Sequence, residues 1–312
     1  MGYVLITPAR NEAAFLQLTL ESMVRQTVPP VRWIIVSDGS TDGTDELAAN
    51  YAAQYSWIEV VRMPERRERH FAGKVLAFNA GRARLADIGY DIIGNLDADV
   101  SFEPDYFEFL LQKFAENPRL GVAGTPFREG SFQYDFRYTS LEHVSGQIQL
   151  FRRQCFDEIG GYLPIPSGGI DLMAVITARM KGWQTRTFTE KWYEHHRKMS
   201  SAKHSQLGIA FYSGRTDYTQ GCDPVWEVFR SLYQMKHRKP LVLWGAACML
   251  GYFWALLTRA PRVASPEMIK FRRHEQMRRL RQAMQNLLPG FRPMPVDSNP
   301  GCQLETQDRR KS

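Results

Sequence analysis

Cysteine is scarce in this chain, whose 312 residues contain only four: Cys155, Cys222, Cys248 and Cys302. None of them stands in a Cys-x-x-Cys pair, so neither a zinc site nor a thioredoxin-like redox site is indicated. We therefore expect free thiols in a reducing compartment instead of a disulfide framework. The first residues, "YVLITP", have the pattern of a strand, and no secretory signal peptide is evident.

Glycine-rich phosphate-binding loops are absent as well. The chain has neither the Gly-x4-Gly-Lys-Ser/Thr pattern nor a strand-linked Gly-x-Gly-x-x-Gly. Instead, the glycines of "SDGSTDGT", Gly39 and Gly43, predict a tight turn after Asp38 that lets this carboxylate face a cleft. There it could accept hydrogen bonds from a nucleotide base or from ribose hydroxyls. A helix N-cap followed by a turn is the alternative.

Positive charge is concentrated towards the carboxyl end of the chain, which has a net charge of +7. Between Arg259 and Arg281, only Glu267 and Glu275 oppose six further basic residues: Arg262, Lys270, Arg272, Arg273, Arg278 and Arg279. Such a stretch indicates an anionic surface, either membrane lipid or nucleic acid. Because an apolar segment comes directly before it, we expect lipid headgroups and no nucleic-acid partner.

That apolar segment, residues 240–258, is uncharged over about the length that crosses a bilayer. Its flanks, "KHRK" and "RAPRV", are both basic. Basic flanks tend to stay in the cytoplasm, and a single span cannot keep both there. We therefore expect a re-entrant or interfacial insertion at the cytoplasmic face of the cell membrane, in preference to a single span or a buried core helix.

Five short apolar runs alternate with helix-like segments over the first 125 residues. The predicted strands cover residues 3–7, 33–36, 58–62, 91–96 and 120–125. The helix after the first strand has Phe15, Leu18, Leu20 and Met23 on its predicted apolar face. This alternation predicts an α/β fold with a mainly parallel sheet flanked by helices. Residues 199–223 show no firm period and are expected to form a mobile loop, and residues 289–312 a disordered tail.

Polar clusters follow three of these strands: Thr7-Pro8-Ala9, Ser37-Asp38-Gly39 and Asp97-Ala98-Asp99. The carboxyl ends of parallel strands form the ligand-binding edge of such a sheet. In an extended strand, Asp97 and Asp99 would point to the same face, which is unfavourable without a cation between them. Two converging carboxylates favour Mg²⁺ or Mn²⁺, which share their oxygen ligands with substrate phosphates.

Four motifs, "TPARNEA", "VSDGSTDGT", "GKVLAFNAG" and "NLDADV", stand in the order and approximate spacing of family 2 glycosyltransferases. Downstream, "LFRRQCFDEIGGY" and "GGIDLMAVITARMKGW" are similar to the acceptor half of that family, so the resemblance covers about residues 1–195. It implies a Rossmann-like GT-A fold and an inverting, nucleotide-sugar-dependent enzyme.

The resemblance also assigns roles to single residues. Four would line the pocket for the base and ribose: Pro8, Arg10, Glu12 and Asp38. Lys74 would approach the base or diphosphate, unless it is only an exposed lysine at a helix start. Asp97 would contact ribose or metal, and Asp99 would ligate the Mg²⁺ or Mn²⁺ that bridges the diphosphate. Asp171 stands at the place of the catalytic base, but Ile170 replaces the acidic residue that often precedes it, so Asp171 could instead cap the next helix.

The segment "WYEHHRK" stands near the place of the Gln-x-x-Arg-Trp motif of processive polymer synthases. Because that motif is missing, we expect one sugar to be transferred per binding event. His195, His196 and Arg197 could reach the diphosphate or the metal. Since His195 and His196 are adjacent in a strand, their side chains should diverge, and packing or solvation is the alternative for both.

The expected organisation has four parts: a nucleotide-sugar-binding half (1–125), an acceptor and catalytic-base half (126–225), a membrane-associated helical region (226–288) and the tail. The expected reaction transfers a sugar to a lipid-linked or polysaccharide acceptor, and the resemblance to the family implies a UDP-sugar as the donor.

A nucleotidyltransferase that makes nucleotide sugars is one alternative, but it needs a glycine-rich loop where "TPARNEAA" has no glycine. A non-catalytic, membrane-associated nucleotide-sugar-binding protein is the other. The presence of aspartates at positions 38, 97, 99 and 171, where the resemblance assigns catalytic or binding roles, argues against this second alternative.

Overall fold

The computed structural model describes residues 1–65, 72–130, 140–197 and 205–287. Its strands are β1 (Tyr3–Ala9), β2 (Arg32–Asp38), β3 (Ile58–Met63), β4 (Ile92–Leu96), β5 (Val100–Phe102), β6 (Leu120–Gly124), β7 (Phe127–Arg128), β8 (Ile148–Arg152), β9 (Gln184–Thr187) and β10 (Tyr193–His195). Its helices are α1 (Ala13–Val24), α2 (Thr44–Ala52), α3 (Ala72–Ala83), α4 (Tyr106–Glu116), α5 (Arg153–Glu158), α6 (Ile170–Met180), α7 (Gln206–Thr219), α8 (Pro224–His237), α9 (Leu243–Leu257) and α10 (Pro266–Leu287).

A seven-stranded sheet in the order β3-β2-β1-β4-β8-β6-β9 forms the centre of the molecule. Only β8 runs antiparallel to its neighbours β4 and β6, so the predicted mainly parallel sheet is confirmed. Alternate residues of β1 point to opposite faces. Tyr3 and Leu5 pack into a core with α1 and α4, while Val4 and Ile6 pack into a second core with α3, α5 and α6. The result is a three-layer α/β/α arrangement, as the strand–helix alternation predicts.

A small second sheet, in the order β5-β10-β7, lies next to the carboxyl ends of the central strands. Strand β10 pairs antiparallel with β5, where His195 lies opposite Val100, and parallel with β7. This pairing brings residues 195–197 against the Asp97–Asp99 segment, which immediately precedes β5 in the chain.

The predicted strands agree with the structure to within two residues at each end, but Leu18 is placed wrongly. Its side chain is exposed, because the buried face of α1 consists of Leu16, Thr19, Leu20, Ser22 and Met23. The small polar residues at positions 19 and 22 take the place of the large apolar residues that a periodicity argument expects.

The mobile loop expected for residues 199–223 is also wrong over most of its length, because residues 206–219 form α7. The Oγ of Ser205 caps this helix by accepting a hydrogen bond from the backbone N–H of Gly208. The buried residues of α7 are Ala210, Gly214 and Tyr218. Two of these three are small, which explains why the sequence shows no apolar period. Residues 199–204 lie outside the described residues.

Helices α7 and α9 are in direct backbone contact at their glycines. A Cβ atom at Gly214 would lie 1.8 Å from the carbonyl oxygen of Cys248, and one at Gly251 would lie 2.0 Å from that of Phe211. Real Cβ atoms do not approach backbone oxygens so closely, so only glycine permits this packing distance.

We therefore predict that Gly251→Ala lowers the free energy of unfolding by about 3 kcal/mol. The higher helix propensity of alanine offsets only about 1 kcal/mol of that loss, since the clash is with backbone atoms that cannot rotate away. Denaturant unfolding would measure the effect. Gly89→Ala is the matched control, because no atom lies within 4 Å of its added Cβ. Equal stability of the two variants would contradict the close packing of α7 on α9.

A buried ionic cluster connects α7, α8 and α10. Asp217 and Glu227 both pair with Arg230, and Arg272 approaches Asp217 to 3.4 Å. Cys222 lies beside them. The guanidinium groups thus satisfy the carboxylates, as buried charges require.

The apolar segment forms α9, which is only partly buried. In the part of the chain that the structure describes, no helix has both the length and the apolar character to cross a bilayer. The core-helix alternative is wrong, because one side of α9 is exposed from Leu243 to Leu257.

Part of the basic stretch also has an internal role. Arg262 and Arg272 donate to backbone carbonyls near the end of α7, and Arg279 pairs with Glu142. Arg272 and Arg279 thus hold α10 to the body of the protein, and Arg262 holds the segment that precedes it. Cys155, Cys222 and Cys248 are free thiols, and all three are buried. Cys302 and the predicted tail at 289–312 lie outside the described residues.

Candidate functional site

A cavity of about 480 Å³ opens at the carboxyl ends of β1, β2 and β4. We call it the strand-end cavity. Seven residues to which the resemblance assigns nucleotide or metal binding line it: Pro8, Arg10, Glu12, Asp38, Lys74, Asp97 and Asp99. They come together because β1 pairs in parallel with both β2 and β4, which brings the three strand ends to one edge of the sheet.

The turn after β2 has the predicted conformation. Gly39 and Gly43 have φ values of +66° and +92°, and a Cβ at Gly39 would lie 2.6 Å from the Cα of Glu65. The turn also holds the loop after β1, since Ser40 Oγ accepts from the backbone N–H of Asn11 and Thr44 Oγ1 accepts from that of Glu12. The buried Asp38 carboxylate lies 3.8 Å from Arg10 Nη1.

Asp97 and Asp99 lie in a turn between β4 and β5, not in a strand. The argument that they share a strand face is therefore wrong, although both line the strand-end cavity. Each carboxylate has its own cationic neighbours. Lys74 Nζ donates to Asp97 Oδ1 at 2.5 Å, while His195 Nε2 and Arg197 Nε lie 3.6 and 3.5 Å from Asp99 Oδ2.

On both aspartates, burial acts to raise the pKa and the cationic neighbours act to lower it. Burial raises the pKa of Asp97 above its usual value, and the Lys74 ammonium opposes the rise only in part. Burial also acts to raise the pKa of Asp99, but the adjacent His195 and the charge of Arg197 outweigh it, so this pKa is lowered. Asp99 is consequently the more strongly ionised carboxylate of the pair.

His195 and Arg197 extend this network to two glutamates. The other ring nitrogen of His195, Nδ1, lies 2.8 Å from Glu129 Oε2, and Arg197 pairs with Glu12. Burial acts to lower the pKa of His195, but the charges of Asp99 and Glu129 and the hydrogen bond with Glu129 outweigh it and raise the pKa. His196 points elsewhere, with Nε2 2.8 Å from Ser101 Oγ, so the adjacent histidines diverge as predicted.

The donor atoms near Asp99 suit a divalent cation. Two ligands of one octahedral ion, each at ~2.1 Å, lie about 3 Å apart, and the Asp99 oxygen and His195 nitrogen are separated by 3.6 Å. A metal-bound imidazole usually donates its other N–H to a carboxylate, and Glu129 stands in that position. The Asp99 carboxylate suits either Mg²⁺ or Mn²⁺, and an additional imidazole ligand favours Mn²⁺, the transition metal of the two.

A second cavity, of about 290 Å³, lies next to the first and is lined by the first residues of α6. We call it the α6 cavity. It shares Lys74 and Asp97 with the strand-end cavity, and Asp171 lines this cavity alone. The helix-cap interpretation of Asp171 is wrong, because the N-cap residue of α6 is Gly169 and the cap has no side-chain hydrogen bond. Asp171 is in the first turn, where a negative charge suits the helix dipole.

Asn95 connects the two carboxylates and was not found from the sequence. Its Nδ2 donates to Asp97 Oδ1 at 2.8 Å and to the carbonyl of Gly146 at 2.7 Å. Gly146 in turn lies against Asp171, since an added Cβ there would be 2.9 Å from Asp171 Oδ2. The available signal is a polar residue inside the otherwise apolar strand β4, where it is buried.

Comparison with known proteins gives one family. The model of the family described as "Glycosyl transferase family 2" matches residues 4–173, more than half of the chain.

Two curated relatives share sequence with about half of the chain. The poly-beta-1,6-N-acetyl-D-glucosamine synthase of Staphylococcus epidermidis is 29% identical over 183 residues, covering 51% of this chain and 41% of its own length. The succinoglycan biosynthesis protein ExoA of Rhizobium meliloti is 26% identical over 187 residues, covering 51% of this chain and 52% of its own length. The matched part thus spans about half the length of these relatives.

Solved structures resemble the chain in fold. The mannosyltransferase PcManGT from Pyrobaculum calidifontis, in complex with GDP-Man and Mn²⁺, has a TM-score of 0.56 at 17% identity and covers 93% of this chain and 88% of its own. The structure of S. aureus TarS residues 1–349, in complex with UDP-GlcNAc, has a TM-score of 0.54 at 12% identity. It covers 81% of this chain and 72% of its own. At these identities the comparison shows a shared GT-A-like fold.

Proposed function

Because the chain belongs to glycosyltransferase family 2, we propose that it moves a sugar from a nucleotide sugar to a hydroxyl of a lipid-linked or polysaccharide acceptor. We propose further that the reaction depends on Mg²⁺ or Mn²⁺, inverts the anomeric configuration and takes place at the cytoplasmic face of the membrane. Family membership argues against the nucleotidyltransferase and non-catalytic alternatives.

The observation that carries this proposal is the meeting of the two cavities at Lys74 and Asp97. An inverting displacement needs a nucleophile and a leaving group on opposite sides of the anomeric carbon. The strand-end cavity, with its several charged side chains, suits the nucleoside diphosphate. The α6 cavity is lined by the Asp171 carboxylate. A sugar placed between them would have its anomeric carbon near Lys74 and Asp97.

On the donor side, we assign the base and ribose to the part of the strand-end cavity lined by Pro8, Arg10, Glu12 and Asp38. The buried Asp38 carboxylate can accept hydrogen bonds from base N–H groups or ribose hydroxyls. We propose UDP as the nucleotide. This choice is supported by the complex of TarS with UDP-GlcNAc, whereas the complex of PcManGT contains GDP-Man.

For the metal, we assign Asp99 as the main ligand and His195 as its partner. Asp97 is the secondary ligand, because Lys74 already neutralises it. A bound divalent cation supplies positive charge to the departing diphosphate. Lys74 and Arg197 add positive charge at the same edge, where it stabilises the negative charge that develops on the leaving group.

On the acceptor side, we assign Asp171 as the general base. Its carboxylate accepts the proton of the acceptor hydroxyl as that oxygen forms the new bond to the anomeric carbon. The bond from the anomeric carbon to the diphosphate breaks with its electron pair going to the diphosphate oxygen. Asn95, through Gly146, keeps Asp171 and Asp97 in fixed relation.

A screen of nucleotide sugars tests the reaction. We expect one UDP-sugar to be hydrolysed or transferred at least about tenfold faster with Mn²⁺ or Mg²⁺ than with EDTA. GDP-sugars at equal concentration serve as the matched donors, and release of the nucleoside diphosphate is the measurement. A GDP-sugar preference would overturn the UDP assignment alone. Turnover that is insensitive to EDTA would overturn the metal dependence.

A further inference from the structure

Helix α9 presents an entirely apolar stripe to the outside. Leu243, Leu250, Trp254 and Leu257 are spaced by seven, four and three residues, which places them on one side of the helix. They are 54–79% exposed. The opposite side of α9 is buried against α7 and α8 through Gly245, Cys248 and Gly251. The exposed stripe is therefore not needed for the packing of this chain.

The neighbouring helix α8 has a second stripe of the same kind. Val225, Phe229 and Leu232 follow each other at four and three residues and are 46–52% exposed. Helix α8 packs on α9. The two adjoining helices therefore carry seven large, exposed apolar side chains between them. Monomeric soluble proteins rarely expose so many together unless the surface has a partner.

The charges around these stripes identify the chemistry of that partner. Residues 224–266 contain a single acidic residue, Glu227, and its side chain is fully buried and paired with Arg230. Exposed basic residues flank α9 at both ends, with Lys236, Arg238 and Lys239 before it and Arg259 after it. The surface charge of this region is thus entirely positive, which complements an anionic partner.

We propose that the apolar stripes of α8 and α9 form a peripheral docking face for an anionic lipid surface. Helix α9 has 15 residues, about 22 Å at 1.5 Å per residue, which is less than the ~30 Å of a hydrocarbon core. It lies flat in the interface, with its apolar side chains among the acyl chains and the flanking lysines and arginines at the headgroups. This inference deepens the membrane localisation proposed above and names the surface that makes the contact.

Flotation of the full chain with phospholipid vesicles tests this docking. We expect binding to vesicles that contain about 30% phosphatidylglycerol, with several-fold weaker binding to pure phosphatidylcholine and at about 0.5 M NaCl. The double variant Leu250→Gln/Trp254→Gln should reduce binding at least about tenfold. The matched control is Leu18→Gln/Val31→Gln, two exposed apolar residues outside this face, which should bind as wild type.

A charge variant and a mass measurement complete the test. Lys236→Gln/Lys239→Gln should lose the preference for anionic vesicles while its melting temperature stays within about 2 °C of wild type. Equal binding by the apolar double variant, or no binding by wild type, would overturn the proposal. So would a dimer, seen by light scattering without lipid, that the apolar double variant abolishes, since a second copy would then occupy the face. The vesicle-binding assay contains neither a sugar donor nor a sugar acceptor. A negative result would therefore overturn the docking face without contradicting the proposed transfer reaction.

Discussion

Asp171→Asn is expected to reduce sugar transfer about 10²–10⁴-fold, the usual contribution of a general base. Asparagine has nearly the same shape but cannot take the proton of the acceptor hydroxyl. Because Asp171 lines the α6 cavity and not the strand-end cavity, affinity for the nucleotide should remain within about twofold, a difference of ~0.4 kcal/mol. Transfer rates and calorimetric titration with the nucleoside diphosphate measure the two quantities separately.

A matched control for this variant exists on α2. Asp45 is the second residue of its helix, as Asp171 is of α6, so Asp45→Asn removes the same favourable charge from a helix first turn. We expect Asp45→Asn to transfer sugar at the wild-type rate. If Asp171→Asn retains transfer but binds the nucleotide weakly, Asp171 belongs to donor binding and the base must be sought elsewhere in the α6 cavity.

Asp99→Ala is expected to remove the response of transfer to metal. In wild type, Mn²⁺ should raise the rate well above that in EDTA, and in the variant the two rates should become nearly equal and lie about 100-fold below wild type. The physical reason is the loss of a carboxylate that stays ionised in spite of its burial, because His195 and Arg197 lower its pKa. Transfer assays over a Mn²⁺ concentration series measure this.

Direct Mn²⁺ binding, followed by electron paramagnetic resonance, separates loss of the ligand from loss of the fold. Asp105→Asn is the control, since Asp105 also pairs with a cation, Lys191, but lies outside both cavities. It should bind Mn²⁺ as wild type. Unchanged Mn²⁺ affinity and metal response in Asp99→Ala would refute the metal assignment.

The strand-end cavity was largely predictable from the sequence. Apolar runs alternating with helical segments indicate parallel strands, and parallel strands bring their carboxyl ends to one edge. Pro8, Asp38 and Asp97 follow three such runs, so their meeting requires only that β1, β2 and β4 be neighbours. The glycine turn after Asp38 was likewise readable, because a positive φ strongly favours glycine.

The pairing of the charges within that cavity was not predictable, although the sequence analysis placed His195 and Arg197 within reach of the metal. From the sequence, two carboxylates close together seemed to need a cation brought by the substrate. In the structure Lys74 neutralises Asp97, and His195 and Arg197 lie beside Asp99. His195 and Arg197 stand nearly 100 residues from Asp99 in the chain, and only the pairing of β10 with β5 brings them there.

The carboxyl-terminal helices also combine features that the sequence predicts with features that it does not. Composition alone identified an apolar segment and a basic stretch, because both are properties of consecutive residues. Which side of α9 is buried depends on glycines that let α7 and α8 approach closely, and which arginines remain exposed depends on partners such as Asp217 and Glu142. The sequence by itself therefore determined the order of the elements and the polar strand ends, since these follow from periodicity over about ten residues. Only the tertiary structure decided the partners of each charge and the exposed face of each helix, because both depend on contacts between residues far apart in the chain.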